Sequence, residues 1–267
     1  MNTDLFIIAA GKGSRMGGNI PKALVPITDI PNLTTTLQQI GHKFNNIFII
    51  INELITEQWD QYRRETEKLF PTLIDNTRVY FVPIKSGLGD GHAVMRGLKR
   101  ATDYSVVSDD IVICWGDVFL PFCQTVDELL SKRYAGNHIS GFIPAVRKDN
   151  PYVTLLVDEH MSCMSADFSK YGENHPSGFH DQSIFRFDKK VILNALFNLH
   201  TCFWKNGRYI TPGGELSLLH AFHILHNTER PAQVYETDYP TRSFNTPEEV
   251  ALIQEEIKQK WLIANQF

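Results

Sequence analysis

The sequence predicts an α/β protein in three layers, with a mostly parallel central sheet covered by helices on both faces. Three observations carry this. Apolar, β-favouring runs at Leu5–Ile8, Asn46–Ile51, Arg78–Val82 and Ile111–Trp115 recur along the first half of the chain. Helix-compatible segments separate them, joined by short polar connections, which is the βαβ pattern. The chain has 267 residues, enough to bury a substantial core in one large domain.

Taken in order, Leu5–Ile8 is the first strand, and a run of small residues from Ala9 to Gly18 follows it. Asn32–Ile40 reads as a helix with a threonine-rich, poorly formed start. Asn46–Ile51 is the second strand, Glu53–Phe70 a charged amphipathic helix stopped by Pro71, and Arg78–Val82 the third strand. The joint Pro83–Gly91 reads PIKSGLGDG and leads into a helix at His92–Arg100, with Ala93, Val94 and Leu98 on its apolar side. Ile111–Trp115 is an apolar strand ended by Gly116 and Asp117, and Thr125–Tyr134 is the next helix.

A less regular section begins near His138. Tyr152–Val157 favours a strand and Asp158–His160 a turn, while Ser165–His180, polar and holding Gly172, Pro176 and Gly178, reads as a long loop. Gln182–Phe187 is a strand, with Asp188 starting a helix over Lys189–Asn198. Gly214 and Glu215 introduce a helix running to about His226, and Val234–Thr237 is a short strand. At TPEE, Thr246 can cap a last helix with Pro247 in its first position and Glu249 at the third, and Val250, Ile253, Ile257 and Trp261 on its apolar side. The chain reads as one domain, with a first part at 1–137 and a lobe at about 138–215 whose following segment returns to the sheet.

The run FIIAAGKGSRMGGNIPKALVPI from Phe6 to Ile27 organises the rest. Ala9, Ala10, Gly11, Gly13, Gly17 and Gly18 let the backbone turn tightly and bring N–H groups near an anion, and Lys12, Arg15 and Lys22 add fixed positive charge. Such a turn is built to hold phosphate. It is not a Walker loop, because no GxxxxGK followed by Ser or Thr occurs. Nor is it the dinucleotide fingerprint, since Gly11, Gly13 and Gly17 have the wrong spacing and cations stand among them. Ligands of parallel sheets sit beyond the carboxyl ends of the strands, where this turn, Pro83–Gly91 and Asp117 all emerge.

Composition narrows the class. The formal charge is −4 with scattered basic residues, so no nucleic-acid groove is expected. The N-terminus lacks the order of a signal peptide, and no run approaches the roughly eighteen apolar residues of a membrane span; a cytoplasmic location is the expectation. Cys114, Cys123, Cys163 and Cys202 have no metal-binding spacing and are expected as free thiols. His220 and His226 diverge by roughly 120° around a helix, so with His223 they form no tight metal site.

AAGKGSRMG followed by PKAL resembles the signature of the nucleotidyltransferases that join an NTP to a phosphorylated sugar or alcohol and release pyrophosphate. Leu88-Gly89-Asp90-Gly91-His92-Ala93 resembles the base-contacting turn of the UTP-dependent N-acetylglucosamine-1-phosphate members, and Trp115-Gly116-Asp117 the metal-binding end of a central strand. The resemblance implies a Rossmann-like, glycosyltransferase-A-like fold, with 1–137 as the nucleotide-binding part and about 138–215 facing the acceptor. It also implies Mg²⁺, held by Asp117 and by Asn245, which stands just before the TPE helix start, with Asp238 the fallback.

In that chemistry an acceptor phosphate oxygen, already anionic, attacks the α-phosphorus, so alignment and charge matter more than a general base. Arg15 is the expected pyrophosphate clamp, Lys22 the compact charge at the reacting phosphate, and Lys12 a looser contact to an outer phosphate. Ala9, Ala10, Gly11, Gly13, Leu88 and Gly89 would hold the nucleotide through backbone groups. Asp90 stands where the UTP-using relatives commonly have Thr, which favours CTP over UTP. His92 orders that turn. Lys170 and Asp181 are the acceptor-binding candidates, although Asp181-Gln182-Ser183-Ile184 lacks the Asn and Gly of the usual sugar-contacting segment. A cage of Phe168, Tyr171, Phe179 and Trp204 would suit phosphocholine, and ordinary packing of those four is the competing reading. A non-catalytic nucleotide-binding regulator and a molybdenum-cofactor guanylyltransferase are the remaining alternatives; the GLGDGHAV turn fits the latter poorly.

Overall fold

The computed structural model describes residues 2–264 except 12, 14, 15, 18, 19, 73–77, 86, 121, 122 and 135–137, with side chains through residue 259. Its strands are β1 (Thr3–Ile8), β2 (Ile47–Asn52), β3 (Val79–Ile84), β4 (Asp110–Trp115), β5 (Val118–Phe119), β6 (Gly141–Asp149), β7 (Val153–Val157), β8 (Cys163–Phe168), β9 (Ser177–Asp181), β10 (Ile184–Asp188), β11 (Trp204–Lys205), β12 (Arg208–Tyr209), β13 (Ala232–Glu236) and β14 (Arg242–Ser243). Helices are α1 (Asn32–Ile40), α2 (Thr56–Leu69), α3 (Asp90–Ala101), α4 (Gln124–Ser131), α5 (Lys189–Phe203), α6 (Ala221–Asn227) and α7 (Pro247–Ala264).

One sheet runs β3-β2-β1-β4-β10-β6-β9-β7-β8, with β13 paired to β6. Strands β3, β2, β1 and β4 are parallel, as is β13 on β6, whereas β10, β9, β7 and β8 join antiparallel. The sheet is therefore parallel in its first half and mixed as a whole. Alternation along each strand sends side chains to two cores. Phe6, Phe48, Ile113 and Phe185 pack with Val94 and Leu98 of α3, Leu196 of α5 and Phe222 of α6. Leu5, Ile7, Ile49 and Val112 pack on the other face with Leu33 of α1, Trp59 of α2 and Val126 of α4. This is the expected three-layer α/β architecture. A smaller cluster of Ile27, Phe119, Phe244, Val250 and Ile253 seats α7.

Several expected elements change. The helix expected at Glu53–Phe70 begins as a 3-10 turn, Glu53–Ile55, because the Asn52 side chain accepts from Leu54 N–H at 3.0 Å. The loop expected over Ser165–His180 contains the end of β8, a 3-10 turn at Ser169–Tyr171 and most of β9. Gly178 there marks close packing: a Cβ would stand 2.6 Å from Thr154 Cγ2. A hairpin, β11–β12, turns through Asn206 and Gly207, both at positive φ (50° and 79°), the primed-turn geometry that an Asn-Gly pair favours. The helix expected from Gly214 starts only at Ala221, preceded by a 3-10 turn at Leu218–His220. Among the described residues no helix is long and apolar enough to cross a membrane, and all four cysteines are free.

Candidate active site

The order 3-2-1-4 reverses the direction of winding between β1 and β4, and a crevice opens at their carboxyl ends. Gly116 holds that edge closed. Its N–H donates to Ile8 O at 2.9 Å, and a Cβ would meet Ala23 Cβ at 3.0 Å and Ala9 Cβ at 3.1 Å. Asn32, 1% exposed, donates through Nδ2 to Gly116 O (3.2 Å) and Val118 O (2.9 Å), fixing the turn that projects Asp117. Lys22 stands on the opposite lip, in the 3-10 turn Lys22–Leu24.

Asn245 arrives from the far end of the chain. β14 pairs antiparallel with β5 (Ser243 opposite Val118), and Phe244 N–H donates to Asp117 O at 3.1 Å. The expected capping box then forms: the Glu249 carboxylate accepts from the N–H groups of Asn245 and Thr246, and Thr246 Oγ1 accepts from Glu249 N–H at 3.3 Å. These contacts bring three sequence-predicted residues together. Lys22 Nζ donates to Asp117 Oδ2 at 2.9 Å and to Asn245 Oδ1 at 2.7 Å, with the Lys22 and Asp117 side chains 21% and 22% exposed.

Two cavities meet at this cluster. The first, about 330 Å³, is lined by Ala9, Ala10, Gly11, Lys22, Leu88 and Gly89 among others. The second, about 560 Å³, includes Lys170, Tyr171, Asp181, His220 and Asn245 in its wall. Gly89, Asp90, Trp115, Asp117 and Glu215 line both. Gly13 adopts φ +63°, and its carbonyl accepts from Met16 N–H at 2.8 Å. Lys12 and Arg15 lie outside the described residues.

Charges inside the walls are perturbed in ways that bear on their roles. Burial pushes the Asp90 carboxyl up to about 6, against the opposing pull of Leu218 N–H, the Ser217 hydroxyl and Lys170. Its carboxylate accepts from Leu218 N–H at 2.6 Å and from Ser217 Oγ at 3.1 and 3.4 Å. Asp181, 6% exposed, is also raised by burial, although His180 and the Ser183 N–H, 2.8 Å from Oδ1, favour its charge. Burial lowers Lys170, but the Tyr171 hydroxyl, Tyr152 and Glu215 outweigh it and hold the ammonium above its ordinary range. His92 is lowered to about 4 by burial, Arg96 and His200, so it is neutral. Its Nδ1 lies 2.7 Å from the Tyr209 hydroxyl, which also meets His200 Nδ1 at 2.8 Å. His92 lies in the first turn of α3 and anchors it to β12 through Tyr209, which α5 also holds through His200.

The four-ring cage does not assemble. Phe168 and Tyr171 line the second cavity, but Phe179 lies under Arg147 at 4.4 Å and Trp204 packs with His92, His200 and Tyr209. Lys170 stands 4.8 Å from the Tyr171 ring and 5.4 Å from that of Phe168, so a cation already occupies those faces. Asp238 is exposed and lines neither cavity. No cluster of three or more His, Cys, Asp or Glu residues suited to a metal exists among the described residues. Sequence reasoning missed Glu215 and His220 as cavity walls, because contacts with distant segments put them there.

A family model described as the MobA-like NTP transferase domain matches residues 5–175. The bifunctional protein GlmU of Methanocaldococcus jannaschii is 25% identical over 192 residues, covering 71% of this chain and 41% of that protein. Its namesake in Hydrogenovibrio crunogenus is 30% identical over 132 residues, covering 49% and 26%. The chain therefore spans well under half the length of these curated relatives. A UDP-glucose pyrophosphorylase solved with UDP-glucose superposes with a TM-score of 0.73 at 14% identity, covering 97% of this chain and 100% of that one. HddC from Yersinia pseudotuberculosis gives 0.64 at 18% identity, covering 95% and 99%. At these identities the structural likeness is one of fold.

Proposed function

The chain belongs to the MobA-like NTP transferase family, and from that premise we propose that it transfers a nucleoside monophosphate from an NTP, CTP or UTP, to a small phosphorylated sugar or alcohol, releasing pyrophosphate. The observation that carries the reading is the Lys22–Asp117–Asn245 cluster, which stands where two cavities share a wall. A transferase needs that arrangement, because its two substrates must touch at one phosphorus.

The first cavity suits the nucleotide. Ala9, Ala10, Gly11, Leu88 and Gly89 offer a small-residue wall that lets a base and ribose approach the backbone. Because the Asp90 carboxylate is bonded to Leu218 and Ser217, the base is assigned to the backbone of Leu88 and Gly89, and the pyrimidine remains CTP or UTP. The second cavity suits the acceptor, with Lys170 facing its phosphate and Asp181 accepting from a donor on its body. It draws on the lobe at about 138–215 and also on Ser217–His220 and Ser243–Glu249.

In the reaction an acceptor phosphate oxygen bonds to the α-phosphorus, the bond to the oxygen bridging the β-phosphorus breaks, and pyrophosphate leaves with that electron pair. Lys22 offsets repulsion between the two anions, and Arg15 and Lys12, by their place in the glycine-rich turn, take the pyrophosphate end. The oxygens of Asp117 and Asn245, which already converge on one ammonium, fit the hard-oxygen donor set of Mg²⁺. When bound, the ion would supply charge opposite the NTP phosphates.

A panel of four NTPs crossed with sugar 1-phosphates, polyol phosphates and phosphocholine, read by pyrophosphate release in Mg²⁺, tests the reading. Release with CTP or UTP and one acceptor class is expected. Nucleotide binding with no release from any pair would overturn it and favour a regulatory protein.

A further inference from the structure

Asp90 opens α3, yet its carboxylate serves a segment far away in sequence. It accepts from Leu218 N–H at 2.6 Å and from Ser217 Oγ at 3.1 Å. Backbone bonds reinforce the joint, with Leu216 N–H donating to Leu88 O and Gly91 N–H to Leu216 O, both at 2.9 Å. Two glycines make the approach feasible. A Cβ on Gly89, at φ +97°, would lie 2.2 Å from Leu216 O, and one on Gly91 would lie 2.6 Å from Ser217 C.

The held segment is a wall of the second cavity. Ser217 Oγ accepts from Leu219 N–H at 3.4 Å, and Ser217 N–H donates to His220 Nδ1 at 3.3 Å, so the hydroxyl held by Asp90 belongs to the box that orients His220. The His220 ring packs edge-on to Phe168 at 5.7 Å, and both face the cavity. Glu215–Ser217 belongs to no strand or helix. Its bonds to Leu88, Asp90 and Gly91 tie it to the start of α3, alongside the buried Leu216 side chain and the bond from Thr211 Oγ1 to Glu215 O.

We infer that Asp90 is a positioning residue that holds the Glu215–His220 wall against the turn lining the first cavity, and so sets acceptor affinity rather than base choice. This rests on the assignment of the second cavity to the acceptor. Removing the carboxylate leaves Leu218 N–H unpaired at the joint and frees Ser217. The nucleotide-facing backbone of Leu88 and Gly89 keeps its own bond to Leu216.

The test compares Asp90→Ala, Asp90→Asn and Ser217→Ala with the wild-type chain. Loss of a charge-assisted bond predicts an acceptor KM raised roughly 10- to 100-fold in Asp90→Ala at saturating NTP, with the NTP KM changed less than about threefold. Asn keeps an acceptor for Leu218 N–H, so Asp90→Asn should recover most of the loss, and Ser217→Ala should show a smaller change in the same direction. An NTP KM that rises as much as the acceptor KM, or a switch in base preference, would overturn the inference. Hydrogen exchange across 214–222 provides a readout independent of turnover. It should speed up in Asp90→Ala and return in Asp90→Asn, and unchanged exchange would contradict the positioning role. If the wild-type chain turns over no acceptor, the transferase reading fails while the exchange comparison still judges Asp90; if Asp90→Ala does not fold, Ser217→Ala decides.

Discussion

Lys22 is one ammonium shared by two oxygens, at 2.9 Å from Asp117 and 2.7 Å from Asn245. Each of the three is therefore defined by the other two. Asn245→Ala removes one oxygen donor and leaves Asp117 in place; the Mg²⁺ concentration for half-maximal pyrophosphate release is expected to rise about 10-fold or more. An unchanged Mg²⁺ dependence would contradict its assignment. Lys22→Met is expected to lower kcat about 100-fold with little change in melting temperature, since its side chain is partly exposed and its proposed role is charge at the reacting phosphate. Asp90 makes a separate prediction in pH. Its carboxyl is raised from 3.8 to about 6 by burial, so its stabilising contribution is present below about pH 4 and is lost as pH rises through about 6. Stability of Asp90→Asn relative to wild type should therefore increase between pH 4 and 7, by at most about 3 kcal/mol. Thermal melts across that range check the sign; a constant difference would contradict it. Lys170 and Glu215 are the charged neighbours acting on this carboxyl.

Elements meet at the site through a few bonds that local sequence does not announce. β5 and β14 pair through only two residues each, yet that ladder carries Asn245 to Asp117. A second joint locks the sheet to α4. Arg186, its side chain 8% exposed, bonds both oxygens of Asp110 and donates through Nη1 to the carbonyls of Leu129, Leu130 and Lys132 at 2.9–3.1 Å. Arg186→Met should cost about 3 kcal/mol in denaturant unfolding, because it leaves three helix-end carbonyls without their donor and takes the guanidinium from Asp110, a half-buried carboxylate that keeps only Thr3 Oγ1 and the Tyr134 hydroxyl. A loss below about 1 kcal/mol would refute that account. Elements with strong local signals were readable: β1 and β4 as apolar runs, α5 from Asp188, whose side chain accepts from Val191 N–H at 3.1 Å, and α7 from its TPEE box. β8 and β9 were not. Polar residues and Gly178 mask their alternation, and Thr154 across the ladder explains that glycine. The Asn206-Gly207 pair is itself a local hairpin signal, and β11–β12 turns there. The helix expected from Gly214 failed because Leu88, Asp90 and Gly91 engage the backbone of Leu216 and Leu218.

Across the whole molecule, the winding of β3-β2-β1-β4 decides where chemistry can occur, since the crevice opens where winding reverses. That much follows from an alternating βαβ pattern and a glycine-rich turn. The antiparallel half adds the second cavity, and its walls come from segments separated by more than a hundred residues, so residue types such as Lys170 and Asp181 were legible as candidates while Glu215 and His220 were not. Asp117 stands at the boundary between the two cavities, where both substrates of the proposed reaction would meet. Its most direct test is pyrophosphate release by wild type and Asp117→Ala at saturating NTP, acceptor and Mg²⁺, with melting temperatures measured alongside. A rate lower by about 1,000-fold with an unchanged melting temperature is the predicted result; near-wild-type release by the folded variant would contradict it.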